Sequence, residues 1–217
     1  MKYEFTGETK PYFGVTLKRI RATAAMEKFN VTAGDLGGWI EDEKNLDQFG
    51  NAWVFGDARV FGNAQVYGDA RVSGNAWVFG DARVFDNALV FGNAWVSGDA
   101  QVFGNAQVYG DARVFGNAQV YGDTWEKSPL YIQGTKYAFY MAAANKVGCG
   151  CQVFTFAGWH KFWRKIAAKF GMTEVEQTEY VSYFNLACER YGKLEFKIDL
   201  TDGSGDEEPC KDAEDDE

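Results

Sequence analysis

Between Gly50 and Tyr121 the chain repeats a six-residue phrase twelve times without an insertion, and this constrains the fold more than any other feature. The units run from GNAWVF through GDARVF and GNAQVY to a final GNAQVY, and Gly122-Asp123-Thr124-Trp125 begins and breaks a thirteenth. Each unit offers a short strand, Ala-x-Val-x, followed by a Gly-Asn or Gly-Asp corner. Side chains alternate along a strand, so Ala and Val share one face and the two variable residues the other. The constant pair is expected to point inward. Twelve valines, Val54 to Val120, then stack in a dry core, each contributing roughly 1.5–3 kcal/mol on burial. Gly, Asn and Asp tolerate the positive φ that tight corners require. The period is too short for a helix-bearing repeat and too regular for a meander of hairpins.

The recurring Val-x-Gly-Asn/Asp-Ala-x phrase over residues 44–123 resembles the hexapeptide-repeat family. That resemblance implies a mainly β fold: a left-handed parallel β-helix, triangular in section, with three units and 18 residues per coil. Twelve units then make about four regular coils. The expected organisation is an N-terminal β cap (1–43), the β-helix (44–123), a C-terminal α+β unit with two helices (124–200) and a disordered acidic tail (201–217). Lys44 to Phe49 reads as a degenerate unit, with Asn45 and Leu46 in the Asn and Ala slots.

Stacking every third unit sorts the outward residues into columns. The residue after Val gives Phe55, Ser73, Phe91, Tyr109 on one face and Phe61, Phe79, Ser97, Phe115 on the next. The third column is Tyr67, Phe85, Phe103, Tyr121, aromatic without a break, beside Gln65, Arg83, Gln101 and Gln119. The second face also carries Arg59, Trp77, Trp95 and Arg113. Among the corner residues only Asp81 and Asp99 bring two carboxylates into register; elsewhere an Asn intervenes and like charges are kept apart.

A β-helix needs closure at both ends. Phe13 to Leu17 alternates as a strand, and Trp39 is placed to plug the first coil. Lys18, Arg19 and Arg21 read as a solvated edge. Beyond the repeats, Leu130–Ile132 and Tyr137–Tyr140 read as strands. Thr155 is the expected cap of a helix reaching Phe170. Thr173 and Glu176 fit a capping box that opens a second helix to about Arg190, ended by Gly192. Phe156, Trp159, Phe162 and Trp163 share one helical face, as do Tyr180, Phe184 and Cys188.

Charge adds little about partners. The net charge is −9, but Thr201 to Glu217 holds nine acids against one base, so the rest of the chain is nearly neutral. Nucleic acid is therefore not an expected partner. No apolar run suggests a membrane span and no leader is evident at Met1, so the cytoplasm is the expected compartment. The four cysteines are too sparse for a disulfide framework.

Catalysis is not expected, and no cofactor is. Acyltransferases with hexapeptide repeats use a catalytic His, and the related carbonic anhydrases need three for zinc. Here the repeats contain none and the chain holds only His160. Cys149, Cys151, Cys188 and His160 could supply four zinc ligands, but free thiols and a structural His are the simpler reading, and no metal site is assigned. The phrase GDLGGWIEDEKNL with GNAWV repeats and SPLYIQG resembles a group of small proteins of tailed phages and prophages. That resemblance implies a phage origin and the host cytoplasm. The expected function is a non-catalytic binding or scaffold protein, a homo-oligomer (trimer or dimer), with a host protein as a second partner. Its contact surfaces would be the column Tyr67, Phe85, Phe103, Tyr121 and the column Arg59, Trp77, Trp95, Arg113. The alternatives are sequestration of a nucleotide-like ligand on the Arg/Trp column and an acyltransferase-like enzyme.

Overall fold

The computed structural model describes residues 1–200; the acidic tail lies outside the described residues. The chain is mainly β, with a solenoid of about five turns and helices toward its C-terminal end. Every repeat alanine and valine is at most 1 % exposed. The repeat strands, two or three residues each, stack in parallel into three sheets.

One sheet contains β5 (Arg59–Val60), β8 (Trp77–Val78), β11 (Trp95–Val96) and β14 (Arg113–Val114). A second contains β4 (Trp53–Val54), β7 (Arg71–Val72), β10 (Leu89–Val90), β13 (Gln107–Val108) and β16 (Thr124–Trp125). The third contains β6 (Gln65–Val66), β9 (Arg83–Val84), β12 (Gln101–Phe103) and β15 (Gln119–Tyr121). Val60 pairs with Val78, Val78 with Val96 and Val96 with Val114, and the other two sheets repeat the pattern. Valine therefore meets valine at each interior rung. Backbone bonds such as Arg59 N–H to Ala76 O (2.9 Å) and Trp77 N–H to Ala94 O (2.9 Å) link rung to rung.

The ends extend the stack beyond the twelve units. β3 (Leu36–Ile40) adds a rung below β5, with Ile40 beside Val60, and Leu46 bridges to Val66. Leu46 thus takes a valine slot, not the alanine slot expected of it. At the far end Trp125 stands opposite Val108 and is 6 % exposed. The first coil is closed by Ile40 and Leu46, both fully buried, and the last by Trp125. Trp39 is not the plug. It alternates with Ile40 and therefore projects from the outer surface.

Phe13 does not lie in a strand. β1 (Tyr3–Tyr12) and β2 (Val15–Ala22) form an antiparallel hairpin, and Phe13 and Gly14 make its two-residue turn with φ of 45° and 84°. Two positive φ values in succession suit the right-handed twist of paired strands, and Gly at the second position relieves half the strain. β2 pairs with β3, so the hairpin continues the first sheet. Trp53 occupies an outward slot yet is fully buried, because Tyr3 packs against it at 6.3 Å. A Cβ on Gly37 would sit 2.8 Å from the Trp53 ring, so that approach needs glycine.

Eleven of the corners begin with glycine at φ between 58° and 73°, and Asp86 takes the same conformation at φ 57°. Amide side chains link corners along the stack. Asn51 donates to Asp69 (2.7 Å), Asn63 to Asp81 (3.1 Å) and Asn93 to Asp111 (3.1 Å). Lys28 Nζ bridges Asp69 and Asn87, each at 2.7 Å, and holds the Asp69 carboxyl below its usual range.

The chain divides into two compact units. The first comprises Met1–Tyr131 and Tyr140–Ala144; the second comprises Ile132–Phe139 and the described residues from Asn145 onward. After the solenoid come β17 (Tyr131–Gln133) and β18 (Ala138–Ala143), each shifted from the expected strands by one to three residues. In the second unit β19 (Lys146–Cys149) and β20 (Gln152–Thr155) form an antiparallel hairpin that no sequence signal had marked as strand. α1 (Phe156–Lys169) starts at Thr155, whose Oγ1 accepts from Gly158 N–H. α2 (Glu174–Arg190) starts with the Thr173/Glu176 capping box. Phe156, Trp159 and Trp163 are buried on α1, while Phe162 is only half-buried; Tyr180, Phe184 and Cys188 are buried on α2.

Candidate functional site

The third sheet presents the unbroken aromatic column. Tyr67 stacks on Phe85 with centroids 5.0 Å apart and planes 2° apart, and Phe85 on Phe103 at 5.1 Å and 4°. Phe103 meets Tyr121 at 5.2 Å with a 28° tilt. The rung spacing of about 4.8 Å sets this repeat, so rings in register are obliged to stack. All four rings are half-buried: edges face outward while faces are taken up by neighbours. Burial pushes the Tyr67 phenol above its usual range, with Arg83 opposing. Beside the rings, Gln65 and Arg83 are exposed and Gln101 and Gln119 half-buried.

The Arg/Trp column is longer than four residues. Register runs from Arg19 to Trp39, Arg59, Trp77, Trp95 and Arg113 across successive strands of the first sheet. Arg19 lies 5.1 Å from the Trp39 ring, Arg59 5.6 Å from Trp77, and Arg113 4.5 Å from Trp95. Trp77 and Trp95 stack at 4.5 Å and 7°. Cations at the ends and beside Trp77 thus face indole faces, where the ring quadrupole attracts them.

The hairpin turns its tip onto this row. Tyr12 contacts Trp77 at 5.1 Å and Phe61 at 5.9 Å, and Phe13 contacts Trp77 at 6.0 Å. Lys10 Nζ lies 4.8 Å from the Trp39 ring. Arg59 and Trp77, expected to stand free for a ligand, are therefore engaged by the chain itself, and only the Trp95 and Arg113 end is clear of the hairpin contacts. Burial pushes the Lys10 ammonium down and the Tyr12 phenol up, with Arg59 lowering both. Nε of Arg19, Nε1 of Trp39 and Nε of Arg59 are buried without a hydrogen-bond partner, as expected where guanidinium and indole planes lie face to face. The expected basic cluster is thus divided: Arg19 stacks on Trp39, Lys18 lies 5.0 Å from the Phe5 ring, and Arg21 pairs with Glu4 at 3.7 Å.

Trp39 belonged to the row from the outset, since Gly38-Trp39-Ile40 has the same small-Trp-aliphatic order as Ala76-Trp77-Val78. Nothing local marked Tyr12, which reaches the row through the hairpin.

In the second unit His160 Nδ1 lies 3.0 Å from the carbonyl of Phe196. Cys149 and Cys188 are buried, and desolvation pushes their thiols up to about 12 and about 11. Such thiols are poor nucleophiles at neutral pH. Among the described residues no three His, Cys, Asp or Glu side chains gather as a metal site, and no helix is long and apolar enough to cross a membrane.

No curated protein matches the chain. Residues 64–80, 82–98 and 106–122 match the model of the YdcK Beta solenoid repeat. Together with the parallel stacking of the rungs, that similarity identifies the chain as a β-solenoid repeat protein.

Proposed function

We propose that the protein is a non-catalytic binding or scaffold protein whose rigid solenoid, wound left-handed in triangular coils, presents its third sheet to protein partners. The observation that carries this reading is the stacked column Tyr67, Phe85, Phe103 and Tyr121. Its rings are held in place before any partner arrives, so association orders few side chains. Flanking Gln65, Arg83, Gln101 and Gln119 supply hydrogen bonds around an aromatic centre, the composition typical of a contact surface. The first partner is a second copy of the chain, as a dimer or trimer. A phage origin, the host cytoplasm and a host protein as a further partner complete the proposal; these rest on sequence resemblance. The nucleotide reading loses ground, because Tyr12 already occupies Arg59 and lies against Trp77.

Sedimentation of the full chain over a range of concentrations tests the proposal, with a Phe85→Arg/Phe103→Arg variant in parallel. The native protein should self-associate and the variant should not, at unchanged circular dichroism. A native chain that stays monomeric and also retains no protein from a bacterial lysate would overturn the reading.

A further inference from the structure

The winding is interrupted once, at the foot of the third sheet. Interior residues recur every six positions along the repeats, but eight positions separate Leu46 from Val54, both fully buried. Leu46 bridges to Val66 and Val54 pairs with Val72, so both keep their rungs. Asn51 is already back in step, its N–H donating to the Gly68 carbonyl (3.0 Å) and its amide to Asp69 (2.7 Å). The two extra residues therefore fall between Leu46 and Gly50. Asp47, Gln48 and Phe49 stand where the next rungs place the single rings of Tyr67, Phe85 and Phe103. The bulge is held in shape: Asp47 Oδ1 accepts the Phe49 N–H (3.0 Å), and Gln48 Oε1 accepts the Lys2 N–H (2.8 Å). Its Phe49 ring is nevertheless 81 % exposed.

Beside the bulge lies a recess of about 560 Å³, lined by Glu43, Lys44, Asp47, Phe49, Gln65 and Tyr67 among others. No residue of the rung above Tyr67 lines it; Arg83, which pairs with Gln65, belongs to that rung and stays outside. Elsewhere on the solenoid the outward rings already hold a cation of this chain. Trp39, Phe55, Trp77 and Trp95 have the guanidinium groups of Arg19, Arg71, Arg59 and Arg113 at 4.5–5.6 Å. Among the described residues no cation lies over Tyr67 or Phe49, and Lys44 Nζ donates instead to Asn63 (3.0 Å). Two carboxylates share the lining with these rings. Glu43 makes no ion pair among the described residues, and Asp47 keeps Oδ2 free of the bulge bond. Lys2, which also acts on Asp47, has its ammonium on the Ala52 and Phe49 carbonyls. Burial pushes the neighbouring Tyr3 phenol up, and Glu43, Asp42 and Asp47 push it further, the mark of a negative field at this end.

We infer that the recess beside the Asp47–Phe49 bulge binds a small alkylguanidinium, which rests on the Tyr67 and Phe49 rings and donates to the Asp47 and Glu43 carboxylates. A guanidinium is planar, carries five N–H donors and stacks on aromatic rings while it pairs with carboxylate, which an ammonium does less well. Rings supply attraction through their quadrupole, and the carboxylates supply charge-assisted bonds. The volume falls within the range of about 300–1,000 Å³ usual for small-molecule sites and admits a short alkyl stem. The inference does not rest on the protein-binding reading of the ring column: ligand binding and self-association are separate measurements, and either can fail alone.

The test uses the full chain and 1-butylguanidinium, followed by saturation-transfer NMR of the ligand. Saturable binding is expected, with a dissociation constant on the order of millimolar for so small a ligand. Butylammonium, which has the charge and the stem but no plane, should bind more weakly. The acidic tail attracts both cations alike and is present in every variant, so it does not imitate this preference. Glu43→Gln/Asp47→Asn should weaken binding at least tenfold, and the new Asn keeps an oxygen for the Phe49 N–H. Phe49→Ala removes a ring that is largely exposed, so the fold should stand while affinity falls about threefold. No saturable binding, equal affinity for the two cations, or native affinity in either variant would each overturn the assignment.

Discussion

The Arg59 guanidinium lies 4.9 Å from the centroid of the Tyr12 ring, although the two residues belong to different parts of the sequence pattern. Arg59 comes from the second repeat unit and Tyr12 from the tip of the N-terminal hairpin. The contact fastens the hairpin across the outer face of the first sheet, where Trp77 forms its other wall.

Tyr12→Ala should release the tip. The variant loses a half-buried ring and a cation–π contact and should be less stable by about 1–2 kcal/mol. Trypsin cleavage at Lys18 and Arg19 should become faster while the repeats stay resistant. Unchanged cleavage kinetics would mean that Tyr12 does not hold the hairpin.

The valine stack sets a second expectation. Val90 is fully buried between Val72 and Val108, its neighbours on either rung. Val90→Ala should cost about 2 kcal/mol in denaturant unfolding, from lost burial and the cavity left behind. Gln107→Ala, on an outward slot, should change stability by less than about 0.5 kcal/mol.

Corner glycines differ by position, and two substitutions separate strain from collision. Gly122→Ala would place a Cβ in open space at φ 62°, so only the left-handed backbone penalty of about 1 kcal/mol applies. Gly98→Ala, at φ 70°, would also drive a Cβ to 2.9 Å from the Gly116 carbonyl on the next rung. That backbone cannot move without breaking the stack, so the cost should exceed that of Gly122→Ala by about 2 kcal/mol or more. Equal melting points for the two variants would contradict the close stacking of the corners.

Lys2 predicts a pH dependence. Its Nζ is buried and donates to the carbonyls of Ala52 (2.8 Å) and Phe49 (3.3 Å). Desolvation pushes the ammonium down to about 8 from 10.5, with Asp47 opposing. In the folded chain Lys2 thus loses its proton near pH 8, while the unfolded chain keeps it to about 10.5. The unfolded state binds more protons across that window, so this residue's contribution to stability rises with pH there and its penalty is full below pH 8. Lys2→Met should be less stable overall, because two carbonyls lose their donor, and should lack the rise. Denaturation midpoints of both proteins from pH 7 to 10 decide this; parallel curves would count against the burial of a charged Lys2. Above pH 10 the neighbouring Tyr3 phenol, raised by burial, acts in the opposite sense.

What could be read from the residues was the part governed by local repetition. Alternation within Ala-x-Val-x dictates which side chains enter the core, and a constant six-residue period brings like residues into columns. The helices were legible for the same reason: Thr155 and the Thr173/Glu176 pair are local signals, and the burial faces follow from helical spacing. The β19–β20 hairpin was not, because Gly148, Gly150 and the two flanking cysteines interrupt any alternation around its turn.

The sequence by itself determined the solenoid core, the valine stack and the aromatic column, since each follows from a period that the backbone must obey. Only the tertiary structure decided which outward residues remain outward. Trp53 went under Tyr3, and Tyr12 settled on Arg59 and Trp77, because those contacts join residues about 47 to 65 positions apart through a hairpin whose path no repeat encodes. Ser73 and Ser97 were visible as letters in their columns; that Arg71 reaches over Phe55 beside the one and Trp95 packs against Phe79 beside the other depends on how neighbouring side chains pack on the finished sheet.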